Sequence, residues 1–278
     1  MNLRNYRGAG PEEAAQLHPS ELRSRFLVEG LFAAGALNLA YTHFDRMIVG
    51  AACPAKVPLS LGDGKAVGTA HFLDARELGI ANLGGEGAIE VDGKSFGLAN
   101  RDVLYVGRGA RSVTFMSIDP ARPARFYLNS VPAGASHPVR LIRKNEAKGV
   151  ELGEASRANR RRLAMYIHPE VSPSCLLLMG ITDLAPGSVW NTMPPHVHER
   201  RMEAYCYFDL AEADRVVHLM GRPECTRHLM VANGDVVLSP SWSIHMGCGT
   251  GPYAFVWGMT GENQAYNDFD PVGVAELR

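Results

Sequence analysis

From about Leu39 onward the apolar positions of this chain come in short runs rich in Val, Ile, Tyr, Phe and Trp, broken by Gly, Pro, Asn and Asp. The runs Ala88–Val91, Val103–Val106, Val113–Ser117, Tyr205–Phe208, Val216–Met220, His228–Val231, Val236–Leu238 and Tyr253–Trp257 predict strands, because branched and aromatic side chains pack well on a pleated surface. Many short strands at this spacing favour an antiparallel sandwich or barrel over alternating strands and helices. Ahead of them, residues 12–29 are expected to be helical in part, with Ser20 as the N-cap before Glu21, Leu22 and Phe26.

The dipeptides Asp92-Gly93 and Asn233-Gly234 accept the positive φ angles of a tight hairpin, and each precedes a similar strand. Asp102-Val103 matches Asp235-Val236, and Gly107 falls at the place of Pro240, so the chain is expected to hold two copies of one β-barrel module. The stretch 130–162, rich in Pro, Gly, Ala and charge, predicts the boundary near residue 150, with one domain over 1–150 and another over 151–278.

Charge narrows the function classes. Lys plus Arg (28) nearly balances Asp plus Glu (29), which argues against a nucleic-acid partner or an anionic membrane surface. The cluster Arg160-Arg161-Arg162 then reads as a solvated or subunit-contact surface. The opening residues lack the apolar run of a signal peptide, and no apolar stretch reaches the roughly 20 residues that span a bilayer. Five scattered cysteines without a CxxC pair do not form a disulfide framework and are expected to be reduced and mostly buried, so a cytoplasmic protein is expected.

The chemistry concentrates in Met193-Pro-Pro-His-Val-His-Glu-Arg-Arg-Met-Glu203. Side chains two apart on a strand share a face, so His196 and His198 can present two imidazoles to one point, and a turn can bring Glu203 beside them. His245 is the candidate fourth ligand, since Gly234-x5-Pro240-x-Trp242-x2-His245 has the spacing of a second cupin motif after a first of the form HxHx4E. Three imidazoles and one carboxylate suit Zn2+ and also accept Mn2+, Fe2+ or Ni2+. Aligning Glu77 with Glu203 places Ala70 and Phe72 at the two histidine positions and Ser112 opposite His245, so the first barrel is expected to hold no metal, with His71 on the wrong face. His218 and His228 are read first as core or surface histidines and second as partners of the ligands, while His18, His43, His137 and His168 carry no motif.

NTMPPHVHERRMEAYCYF, SPSWSIHMGCGT and FVWGMTGENQ, with FLVEGLF, THFDRMIVG and RDVLYVGRGA upstream, resemble the 4-deoxy-L-threo-5-hexosulose-uronate ketol-isomerase (5-keto-4-deoxyuronate isomerase) family. The resemblance covers most of the chain beyond about residue 20. It implies a mainly all-β fold of two cupin-type double-stranded β-helix barrels (jelly rolls) with a short N-terminal helical segment. It also implies one zinc per chain on His196, His198, Glu203 and His245, a homo-oligomer, hexameric in the family, and a place in pectin or polyuronate breakdown. The implied reaction converts an open-chain 4-deoxy-5-keto-uronate into 3-deoxy-D-glycero-2,5-hexodiulosonate by aldose–ketose isomerisation.

The residues that move the proton stay open, with Glu199 and Tyr166 as candidates. For the substrate carboxylate a fork-shaped cation is needed, and Arg200 or Arg201 is nearest in sequence, with Trp242 as a candidate apolar wall. Rival readings are a 5-deoxyglucuronate isomerase, an Fe2+ cupin dioxygenase and a non-catalytic sugar-binding cupin, the last disfavoured because no basic helical DNA-reading segment is evident.

Overall fold

The computed structural model describes residues 1–278, and every predicted strand is present, most of them extended by one to four residues. Two compact units emerge. The first comprises Met1–Asn5, Gly30–Lys148 and Met165–Met179, and the second Tyr6–Glu29, Gly149–Ala164 and Gly180–Arg278.

The first unit is a pair of sheets. One sheet runs Leu37–Thr42, Ile48–Ala52, Phe126–Pro132, Arg76–Asn82, Val103–Val106, Arg140–Ile142, with Asn2–Tyr6 beside its first strand, and the other runs Leu59–Ser60, Val113–Ser117, Gly87–Val91, Lys94–Leu98. Alternate residues of both sheets, among them Leu78, Ile80, Ile89, Leu104, Phe115 and Leu128, meet in one buried hydrocarbon core. Burial on one face of each strand is what holds such a two-sheet barrel together.

The second unit repeats that order. Its large sheet runs Arg161–Ile167 (in this unit up to Ala164), Leu178–Leu184 (in this unit from Gly180), Ala254–Gly261, Arg201–Phe208, Val236–Ser239, and its small sheet Trp190–Asn191, Met246–Gly249, Val216–Arg222, Cys225–Val231. The internal repeat is visible in a shared detail: Asp102 Oδ2 accepts the N–H of Ala99 and Asp235 Oδ2 that of Ala232. Leu27–Val28 pairs with Val236–Ser239, so the N-terminal segment completes the large sheet.

Four expectations need correction. The helical segment is two helices, Pro11–Gln16 and Pro19–Phe26, and the N-cap of the second is His18 rather than Ser20. Pro19 occupies the first helical position, where its fixed φ and missing N–H fit, so the His18 ring accepts the Ser20 N–H while Glu21 takes the His18 N–H.

Asp92-Gly93 does form a hairpin, with φ of 48° and 82°, but Asn233-Gly234 joins strands of different sheets instead. No cysteine is joined to another, and against the expectation that most are buried only Cys53 and Cys206 are, with Cys225 exposed.

The fourth correction concerns Glu77. Glu203 pairs with Ser239 and Leu78 with Val106, each partner four residues beyond the matched aspartate, so Leu78 and not Glu77 stands where Glu203 does. A slip of one residue turns every side chain to the other face. Glu77 accordingly points away from the core and is fully buried, accepting the Tyr105 O–H at 2.6 Å and the N–H groups of Cys175, Leu176 and Leu177 at 2.7 Å. Ser112 likewise sits exposed against Asp92, while Phe115 fills the interior. No helix is long and apolar enough to cross a membrane.

Candidate metal centre

His196, His198, Glu203 and His245 converge inside the second unit, with their donor atoms within 4.8 Å of one another. The two-residue strand His196–Val197, paired with Asp270–Pro271, carries the first histidine, and His198 follows directly. Glu203 enters from the central strand Arg201–Phe208, and His245 immediately precedes the strand Met246–Gly249 of the small sheet.

Three Nε2 atoms and one carboxylate oxygen face each other. His196 Nε2 lies 3.1 Å from both His198 Nε2 and His245 Nε2, and Glu203 Oε2 lies 3.3 Å and 3.0 Å from the latter two. His198 Nδ1 meets the Asp268 carbonyl at 3.1 Å and His245 Nδ1 meets the Ser243 carbonyl at 3.2 Å. A carbonyl can only accept, so His245 Nδ1 carries the hydrogen, whereas His198 Nδ1 lies between the Asp268 carbonyl and Arg201 Nη2, the latter at 3.2 Å, and both contacts fix the ring's orientation.

Burial, then the neighbouring His245 and His198, push His196 down to about 2. Converging lone pairs repel unless a cation sits among them. Metal–ligand bonds of roughly 2.0–2.2 Å would place adjacent donors about 3 to 3.5 Å apart, the spacing seen here.

A second layer holds the ligands. Asp268 is its hub: its carbonyl also accepts from Arg201 Nη2 at 2.6 Å, and its carboxylate takes the forked guanidinium of Arg200 and the Asn263 amide. The Arg200 pairing holds the Asp268 carboxyl well below its usual range. Beside the cluster lies a cavity of about 330 Å³ with largely apolar walls, including Leu163, Phe255, Trp257, Met259 and Phe269.

Several predicted site residues lie elsewhere. Arg201 is buried behind His198, its guanidinium committed to the Ala265 and Asp268 carbonyls, and Arg200 is committed to Asp268, so neither lines the cavity. Glu199 is exposed and Tyr166 is buried in the first unit, and both are absent from the cavity wall. Trp242 packs edge-on against Phe26, with ring centroids 6.2 Å apart, and borders a different hollow beside the helix Pro11–Gln16.

His218 is buried with its Nδ1 2.8 Å from the Tyr207 hydroxyl, and burial pushes it down to about 3, while His228 is exposed. The motif search passed over Arg161, Thr182, Tyr205 and Tyr266, all of which line the cavity. For Arg161 the signal was available: it shares strand parity with apolar Leu163, whereas Arg160 and Arg162 are exposed.

A model of the KduI/IolB family matches residues 26–272. Proteins described as 4-deoxy-L-threo-5-hexosulose-uronate ketol-isomerase from Yersinia pestis (strain Pestoides F) and Yersinia pseudotuberculosis serotype I (strain IP32953) are each 51% identical to this chain. Both matches run over 269 residues, 96% of this chain and 97% of theirs. Among solved structures, an IolB-like protein from Salmonella typhimurium superposes with a TM-score of 0.65 at 14% identity, covering 92% of this chain and 91% of that one. Oxalate decarboxylase from Lactobacillus farciminis gives 0.57 at 12%, covering 81% and 79%. These last two speak to the fold alone, which is that of the cupins. With a family model spanning nearly its whole length and half its residues shared with named isomerases, the chain belongs to the KduI/IolB family and is an isomerase.

Proposed function

We propose that this chain is a zinc-dependent ketol-isomerase acting on 4-deoxy-L-threo-5-hexosulose uronate, forming 3-deoxy-D-glycero-2,5-hexodiulosonate in the breakdown of pectin-type polyuronates. The observation that carries the substrate is the 51% identity maintained along 96% of the chain to relatives bearing that name. The donor set supports the metal: three imidazoles and a carboxylate match zinc, and one such group of residues gives one ion per chain.

His196, His198, Glu203 and His245 would hold the ion. When bound, it supplies Lewis acidity that polarises the substrate carbonyl and makes the neighbouring C–H more acidic. The chain's own residues do the rest. The apolar walls exclude water and keep the reacting carbons beside the cluster. The groups in the cavity able to hand a proton between adjacent carbons are the Glu203 carboxylate and the Tyr205 and Tyr266 phenols, with Tyr205 linked to the Thr192 hydroxyl at 3.0 Å.

A cytoplasmic location fits five cysteines free of disulfides, and a homo-oligomer, hexameric as the family resemblance implies, completes the reading. The test is to incubate zinc-loaded protein with the 4-deoxy-5-keto-uronate and follow the 2,5-diketo acid by chromatography. Product should form without oxygen uptake. No product from protein shown to carry its metal, or oxygen consumption dependent on iron, overturns the proposal.

A further inference from the structure

The carboxylate of a uronate needs a cation at its far end, and both arginines nearest the metal motif are already committed to acceptors of their own. One other cationic side chain is available. Arg161 is the only arginine or lysine in the cavity wall. It enters from the strand Arg161–Ile167, on the same face as Leu163, and is half-buried.

Its guanidinium makes one hydrogen bond, from Nη1 to the Asn159 carbonyl at 2.8 Å, and no carboxylate pairs with it. Burial lowers its pKa from the ordinary value, opposed by the phenols of Tyr205, Tyr253 and Tyr266. A desolvated guanidinium with spare N–H groups and no counter-charge is an expensive arrangement unless an anion joins it. The one carboxylate in the wall, Glu203, is turned toward the histidines.

Two further polar atoms in the same wall are buried without any partner. They are Thr182 Oγ1 and Trp257 Nε1, from side chains 1% and 2% exposed. Buried polar atoms are nearly always satisfied, so two unpartnered donors on residues of one cavity wall are left for a group that the chain itself does not supply. Trp257 lies hard against Gly180, where an added Cβ would collide with the indole ring.

We propose that Arg161 is the residue that receives the substrate carboxylate, with the Thr182 hydroxyl and the Trp257 indole N–H serving the remaining ligand oxygens. The cavity then has two poles, the histidine cluster for the carbonyl end and Arg161 for the anionic end. This placement rests on the uronate reading above. It makes Arg161 a determinant of specificity for acidic over neutral sugars and gives it no part in the proton transfer.

The test uses the metal-loaded full chain, Arg161→Met and Arg161→Lys, with the uronate and its neutral C6 methyl ester as substrates. Charge-assisted hydrogen bonds of this kind are worth about 10- to 100-fold in binding. Arg161→Met should raise KM for the uronate by about that factor with kcat nearly unchanged, leaving the ester and the metal content as in the wild type. Arg161→Lys, which keeps a donor for Asn159, should show a smaller rise of the same kind and stands in if the Met variant does not fold.

An unchanged KM, or an equal loss on uronate and ester, overturns the proposal, since a merely structural arginine would weaken both alike. If the wild type does not turn over the uronate, the functional reading fails separately, and equilibrium titration with the uronate decides for Arg161. Binding weakened in the Lys variant supports the anion site, and equal binding rejects it.

Discussion

The two barrels of this chain share a strand order and differ in what fills them. In the first, the positions matching Glu203 and Tyr205 are Leu78 and Ile80, and the interior is hydrocarbon throughout. In the second, the same strand presents a carboxylate and phenols to three imidazoles and a cavity. The barrel therefore does not need its polar interior in order to fold. Polarity has been concentrated in one copy, where stability is exchanged for a place to do chemistry.

The two buried glutamates sharpen the contrast. Glu77 has four hydrogen-bond donors aimed at it and is complete as it stands, whereas Glu203 shares one point with imidazole nitrogens. The residue type is the same in both cases. The groups gathered around it decide whether a buried carboxylate is a strut or a ligand.

The largest effect that would test this comparison is on the ligands. His196→Ala, His245→Ala or Glu203→Gln should lower turnover by about a thousand-fold or more and abolish metal retention, as polarisation by the ion is lost. Circular dichroism should change little, because each barrel has its own core. Near-normal turnover in any metal-free variant would remove the metal from the mechanism.

Glu77→Ala should act the other way round. It strands one O–H and three N–H donors in a buried place, so unfolding free energy should fall by about 3 kcal/mol while metal content and KM stay put. A denaturant midpoint equal to that of the wild type would show that Glu77 is no strut.

Asp268→Asn tests the layer behind the ligands. Weakening the grip on Arg200 should loosen the loop whose carbonyl orients His198, lowering metal affinity by about 10-fold. Excess metal should restore activity, and a competition titration with a chelator measures the change. The smallest effect is expected at Trp242→Phe, which removes part of the contact with Phe26. It should cost about 1 kcal/mol of stability and leave the kinetics untouched, so a raised KM would return Trp242 to the substrate site.

The strands and the convergence of His196, His198, Glu203 and His245 were legible in the sequence because both depend on local pattern. A period of two marks a strand, and His-x-His followed by Glu203 and His245 is a spacing that few other uses would produce. Register was not legible. Nothing local distinguishes Glu77 from Leu78 as the partner of Glu203, since the pairing is set by Val106 and Ser239, strands away in the chain.

Arg161 was hidden for a related reason. A run of three arginines averages to a surface signal, although alternation along the strand turns the middle one inward. Arg200 and Arg201 were misplaced because their acceptors lie in the segment around Asp268, whose return over the motif no short-range pattern announces.

The acceptor that orients His198 is the main-chain oxygen of residue 268, and a main-chain oxygen survives every amino-acid replacement. The imidazole is thus anchored to something point mutation cannot erase. Insertions and deletions can erase it. Between Gly261, where the long strand ends, and Asp270, which pairs with Val197, the number of residues matters more than their identity. Adding or removing one there should unseat the ligand as surely as replacing the histidine.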